Sequence, residues 1–252
     1  MDALPYLQEI GLKTDKINSF DNFPFSLPSI ASITSLPFAD TVTFFVGENG
    51  TGKSTLIEAI AVAMGFNAEG GTKYFNFATK ATHTSLHEYL RLSKSFARPR
   101  DGFFLRAETF YNVATNIDEL DETPGSGQII DAYGGRSLHH QSHGESFLSL
   151  VLNRFSGRGL YILDEPEAAL SPSRQLTLLS RMNQLVKRQS QFIIATHSPI
   201  LMAYPGAWIY RFSEHGLERV SYEETEHYQI TKAFLNNPEM MLHELFRDTD
   251  AE

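Results

Sequence analysis

Apolar positions fall in short blocks along the 252-residue chain, and the period of each block predicts an element. "TVTFFV" (41–46) is a continuous β-branched and aromatic run, which predicts a buried strand. "KSTLIEAIAVAM" (53–64) predicts a helix with an apolar stripe. Residues 84–96 read as helical, "GFFLRAETF" (102–110) as a strand, and 112–141 as a loop carrying Pro124 and several glycines. A regular rhythm then follows. It comprises a helix over 143–155, the strand "GLYILDE" (159–165), and an amphipathic helix over 172–189 with Pro172 in its first turn. The strands "QFIIATHS" (191–198) and "AWIYRF" (207–212) come next. Residues 223–247 read as two short helices broken at Asn236-Asn237-Pro238. Residues 20–40, rich in Pro, Ser and Phe, read as short strands and turns. Strands alternating with helices predict an α/β fold with a mostly parallel sheet.

Composition narrows the class. Hydrophobic residues make up 42% and charged residues 20%, a globular balance, and 19 phenylalanines predict an aromatic-rich core. With no cysteine, disulfides and thiolate metal sites are excluded. The N-terminus lacks the basic and apolar parts of a signal peptide, and no apolar run is long enough to span a bilayer, so a cytoplasmic protein without membrane insertion is expected. The formal net charge of -9 argues against coating nucleic acid over a broad surface. "RLSKSFARPR" (91–100) is a local exception, with Arg91, Lys94, Arg98 and Arg100, and reads as a solvated helix face and turn.

The chemistry begins at "GENGTGKS" (47–54), which fits G-x-x-x-x-G-K-[ST]. Its glycines let backbone amides turn inward around phosphate oxygens, Lys53 supplies a charge to the β and γ phosphates, and Ser54 offers a hydroxyl to Mg²⁺. The strand before it and the helix after it are the required context. Gly47, Glu48, Asn49, Gly50, Thr51, Gly52, Lys53, Ser54 and the adjoining Thr55 are therefore expected to hold a nucleotide. In "LYILDEPEAAL" (160–170) a buried strand delivers Asp164 at its carboxyl end, where it can hold Mg²⁺ with Ser54. Glu165 beside it can orient and deprotonate an attacking water. "FIIATHSP" (192–199) repeats the geometry and places His197 where it could meet a γ-phosphate.

"SHGES" (142–146) admits more than one reading. Ser142-x-x-Glu145 fits a capping box at the start of a helix. A serine hydrolase is disfavoured because G-x-S-x-G is absent. A zinc site from His139, His140 and His143 is disfavoured because adjacent residues do not converge on one metal.

The order of these motifs resembles the ABC superfamily of ATPases. The P-loop stands at 47–54, a signature at 141–145 where the family commonly has Leu-Ser-Gly-Gly-Gln, then Asp164-Glu165, a turn at Ala169-Leu170-Ser171, and His197. "GENGTGKSTLIEAIA", "DEPEAALSP" and "ATHSPIL" are similar to the soluble branch, the AAA/ABC-type ATPases akin to RecF and SMC heads and found as stand-alone bacterial members. The resemblance implies one ATPase domain over 1–252, with N-terminal antiparallel β elements and a helical insertion near 70–140 that ends in the signature. It also implies ATP and Mg²⁺ as cofactors, ATP hydrolysis, and a head-to-tail homodimer. In that dimer Ser142, Gly144 and Glu145 of one copy complete the P-loop site of the other. Three residues depart from the pattern: His143 for a glycine, Ser171 for an aspartate, and Glu108 where transporters carry glutamine. Two alternatives stay open, an ATP-held binding switch with little turnover and a transporter's nucleotide-binding subunit. A protein partner is implied without being identified, and a role in DNA maintenance or defence fits this branch.

Overall fold

The computed structural model describes residues 5–72, 84–121, 135, 138–140 and 142–247. Its centre is a six-stranded sheet. The strands are β3 (Val42–Gly47), β5 (Asp101–Arg106), β6 (Gly159–Asp164), β7 (Gln191–Ala195), β8 (Trp208–Ser213) and β9 (Gly216–Val220). They lie in the order β5-β6-β7-β3-β8-β9. All neighbours are parallel except the β8–β9 hairpin. The expected mostly parallel α/β fold is thus the observed one. A smaller antiparallel sheet forms from β2 (Leu36–Pro37), β1 (Leu7–Leu12) and β4 (Leu90–Lys94) in that order.

Parallel strands carry crossovers on both faces, so they are apolar on both. Every residue of β6 is buried, and β3 is buried from Val42 to Val46. Alternation then sorts the side chains. Val42, Phe44 and Val46 enter one core with α3 (Phe110–Asp121), α4 (His143–Arg154) and α5 (Pro172–Val186). Phe45 enters the opposite core with α2 (Lys53–Ala63) and the small sheet. The first core is aromatic, as the Phe content predicts: Phe155 stacks on Tyr161 at 4.1 Å between centroids, and Phe192 lies 5.2 Å from Tyr161. Gln191 ties the two sheets together. Its buried amide accepts from Leu7 N at 3.0 Å and donates to the carbonyls of Leu7 and Ala39 at 2.8 and 3.0 Å.

Two expected elements differ. Residues 84–96 form a short 3-10 turn, Ser85–Tyr89, followed by strand β4, rather than a helix. Leu86 and Leu90 are both buried at a spacing of four, which mimics a helix, but the chain continues as a strand paired with β1. The basic stretch from Arg91 therefore begins on an edge strand of the small sheet, not on a helix face. The expected loop at 112–141 begins instead as α3, whose buried Phe110, Val113, Ala114 and Ile117 follow helical spacing. Pro124 and the glycines that prompted the loop reading lie outside the described residues, apart from Gly135. The strand expected over 102–110 ends at Arg106. Near the C-terminus, α7 (Glu226–Asn236) and α8 (Pro238–Arg247) break where expected, with proline opening the second.

Candidate nucleotide site

The P-loop joins β3 to α2 at the carboxyl edge of the sheet. Gly47, Gly50 and Gly52 all have positive φ, which turns the backbone into a cradle at the start of α2. Gly47 is also packed closely: a Cβ there would strike the carbonyl of Phe212. Lys53 is buried, and its Nζ donates to the carbonyls of Gly47 and Glu48 at 2.7 Å each, so the amine sits inside the loop. Burial lowers its pKa, against the opposing pull of Glu165, Asp164, Glu167 and Glu48. Glu48, Asn49 and Gly50 form the exposed crest, and Thr51 Oγ1 braces it by donating to Glu48 O at 2.8 Å. Thr55 is half-buried in the first turn of α2.

Ser54 Oγ donates to Asp164 Oδ1 at 3.1 Å. That places a hydroxyl and a carboxylate oxygen side by side, a donor set suited to a hard cation that uses oxygen ligands. Asp164 is buried, and burial raises its pKa to about 7, although Arg106 and the Ser54 hydroxyl both oppose the rise. Arg106 stands at the end of β5. Its Nε lies 3.3 Å from Asp164 Oδ2, and its terminal nitrogen donates to Glu58 at 2.7 Å. Glu108 is largely exposed, 3.8 Å from Arg106 Nε.

Glu165 follows in the left-handed region, at φ 51° and ψ 52°, which is uncommon for a residue with a side chain. The turn is held by Glu165 N donating to Ala195 O at 3.0 Å. It lifts the carboxylate off the strand end and leaves Glu165 Oε1 3.6 Å from Nε2 of His197. His197 follows β7, and its backbone N–H donates to Glu167. Burial pushes the Glu167 carboxyl up. Nδ1 of His197 lies 3.0 Å from Nε2 of His227, in the first turn of α7. Burial lowers the pKa of both histidines, the Lys53 charge adds to it, and for His197 the Glu165 carboxylate pulls the other way.

The structure thus brings Lys53, Ser54, Asp164, Glu165 and His197 to one edge of the sheet. Ser142, Gly144 and Glu145 are placed elsewhere, at the start of α4. Glu145 accepts from Ser142 N at 3.1 Å and from Ser142 Oγ at 2.8 Å, and the two residues form the expected capping box. Arg174 of α5 braces the pair, 3.5 Å from Ser142 Oγ and 3.3 Å from Glu145 Oε1. Gly144 is required by close approach, because a Cβ there would come within 2.6 Å of Ala169 O. The side chain of His143 and residue Gln141 lie outside the described set. Ser171, in the turn that follows, serves as the N-cap position of α5. His139 Nε2 lies 3.0 Å from Thr115 Oγ1. The sequence reading missed Arg106, Glu167 and His227. Only proximity to Asp164-Glu165 in the chain could have flagged Glu167.

Strand-ended carboxylates beside a P-loop, on a mostly parallel sheet flanked by helices, make an α/β P-loop arrangement whose motifs are similar to those of ABC/SMC-like ATPases. The family model described as "AAA domain, putative AbiEii toxin, Type IV TA system" matches residues 116–203. That segment, about a third of the chain, includes the start of α4, Asp164-Glu165 and His197. An "Uncharacterized ABC transporter ATP-binding protein" of Haemophilus influenzae is 35% identical over 72 residues, 28% of this chain and 27% of that protein. The chain thus matches about a quarter of that relative's length. Similar solved structures include the SMC head domain from Thermotoga maritima, at 18% identity and a TM-score of 0.45, covering 85% of this chain and 98% of that one. Another is cbiO1 from Clostridium perfringens, part of the ABC transporter complex cbiONQ, at 18% identity and a TM-score of 0.46, covering 84% and 91%. Among the described residues no helix is long and apolar enough to cross a membrane.

Proposed function

We propose that this chain binds ATP with Mg²⁺ and hydrolyses it, closing on nucleotide into a head-to-tail homodimer. The observation that carries this reading is the placement of Glu165 Oε1 3.6 Å from His197 Nε2, beside the Ser54–Asp164 pair. Gly47 to Thr55 would wrap the phosphates. Mg²⁺, held by Ser54 and Asp164, would neutralise phosphate charge. Glu165 would accept the proton of the attacking water, and His197 would meet the γ-phosphate. The second copy would contribute Ser142, Gly144 and Glu145, with the amino end of its α4 directed at the same phosphate. The reading treats residues 1–252 as one ATPase domain acting in the cytoplasm through a protein partner. The net charge of -9 disfavours nucleic acid as that partner.

The test is Glu165→Gln, which keeps size and hydrogen bonding but removes the base. Turnover is expected to fall by about 10²-fold or more while ATP binding is retained, and light scattering should find an ATP-held dimer. Wild-type turnover in this variant would place the base elsewhere. The 72-residue similarity to a transporter ATP-binding protein favours a second reading, a transporter's nucleotide-binding subunit. Recovery of a membrane permease with the protein from native cells would select it.

A further inference from the structure

His227 lies outside every motif described above, yet it shares the site's space. The P-loop residues Glu48 and Asn49, His197, and Glu226, His227 and Ile230 of α7 line one cavity of about 520 Å³. The start of α7 is anchored. Thr225 is fully buried at its N-cap, accepts from Tyr228 N, and donates to Tyr222 O at 2.7 Å. Tyr222 OH in turn donates to Pro199 O at 2.9 Å, on the turn that follows His197. His227 is therefore delivered to His197 by an element whose register is held at both sides of the contact.

The 3.0 Å separation between His197 Nδ1 and His227 Nε2 is a hydrogen bond, and it holds one proton. The surroundings decide which ring owns it. His197 Nε2 is buried, has no hydrogen-bond partner among the described residues, and faces the Glu165 carboxylate at 3.6 Å. A bare nitrogen there would turn its lone pair towards a negative oxygen, whereas an N–H would turn a positive edge to it. A neutral His197 therefore keeps its proton on Nε2, and its Nδ1 must accept.

We propose that His227 is a positioning residue: its Nε2–H donates to Nδ1 of His197 and so holds the His197 proton on Nε2, on the side of the Glu165 carboxylate. The part this N–H plays in turnover rests on the function proposed above; the tautomer assignment does not. The role is that of an outer hydrogen bond that fixes which nitrogen of a functional histidine acts.

Three substitutions separate this role from packing. His227→Gln places an amide N–H near the position of Nε2 and keeps a donor. His227→Glu offers an acceptor alone and would draw the His197 proton to Nδ1. His227→Ala removes the partner. Long-range ¹H–¹⁵N spectra of ¹⁵N-histidine-labelled protein read the tautomer of His197 directly and need no turnover. His197 is expected as the Nε2–H tautomer in the wild type and in His227→Gln, and as Nδ1–H in His227→Glu. In ATPase assays, kcat should fall by about 10–100-fold in His227→Glu and less in His227→Ala, with KM within about threefold. His227→Gln should stay within about threefold of wild type in kcat, a rescue that lost packing would not produce. An Nδ1–H tautomer in the wild type, or equal losses in the Gln and Glu variants, overturns the proposal. A wild type with no ATPase activity but the expected tautomers would overturn the hydrolysis reading and leave the positioning role standing.

Discussion

Asp164 is the residue where burial and charge conflict most openly. Its pKa is raised from 3.8 to about 7, with burial as the main cause, so the folded chain holds that proton more tightly than the unfolded chain does. The sign follows from linkage. Protonation stabilises the fold fully below pH 3.8, and that contribution is lost as pH rises through 7. Asp164→Asn is neutral at every pH. Without nucleotide and in the presence of a chelator, the variant should gain thermal stability relative to wild type as pH rises, reaching a gap of roughly a few °C at pH 8. At pH 4 the gap should close. A pH-independent difference in Tm would mean that the carboxylate is not the strained group. Residues of this kind were legible in the sequence where a strand end or the glycine loop announces them, as with Lys53, Ser54, Asp164, Glu165 and His197. Arg106 and His227 were not. Their roles come from contacts with residues 58 and 30 positions away, Asp164 and His197, and no local pattern encodes that distance.

At the level of elements, the joint between the two sheets is the most specific. Gln191 is 1% exposed, and all three of its described side-chain hydrogen bonds go to the backbone of the N-terminal region. Gln191→Leu keeps the strand apolar but leaves the Leu7 amide and the Ala39 carbonyl without this partner. Denaturant unfolding should report a loss of about 1–3 kcal/mol. A neutral effect would mean that water replaces the amide. Elements were legible where one period ran the length of the segment, as in β3, β6 and α5. Buried Gln175, Leu178, Met182 and Leu185 form the inner stripe of α5. They were illegible where two periods overlapped. Leu86 and Leu90 share a helical spacing, but Leu90 opens β4, and β1 supplies the pairing that decides the outcome. For α3, the inner stripe Phe110, Val113, Ala114 and Ile117 was present in the sequence. Pro124 and the glycines further along outweighed it in a reading that gave 112–141 a single state.

For the whole molecule, the start of α4 poses the question of whether one chain suffices. Ser142 and Glu145 bond to each other and to Arg174, which a capping box explains within a single copy. A capped helix still presents free amides at its amino end, so the same residues can also serve a second copy's P-loop. The two roles predict different mixtures. If capping is the whole role, Ser142→Ala should lower Tm by roughly 2–4 °C and leave ATP turnover per site unchanged. If the residue acts on a partner, Ser142→Ala should bind ATP as a monomer but lose the ATP-dependent dimer and its turnover. Lys53→Ala should lose nucleotide binding while staying folded, because the lysine amine bonds the loop carbonyls of Gly47 and Glu48 and the residue belongs to neither core cluster. Each variant by itself should be inactive. Mixed in equal amounts with ATP, they can form a heterodimer that brings the intact P-loop of the Ser142→Ala copy against the intact α4 of the Lys53→Ala copy. Turnover should then return to a fraction of wild type, one competent site per heterodimer. Two variants that form heterodimers by light scattering yet stay inactive together would confine Ser142 to its own helix.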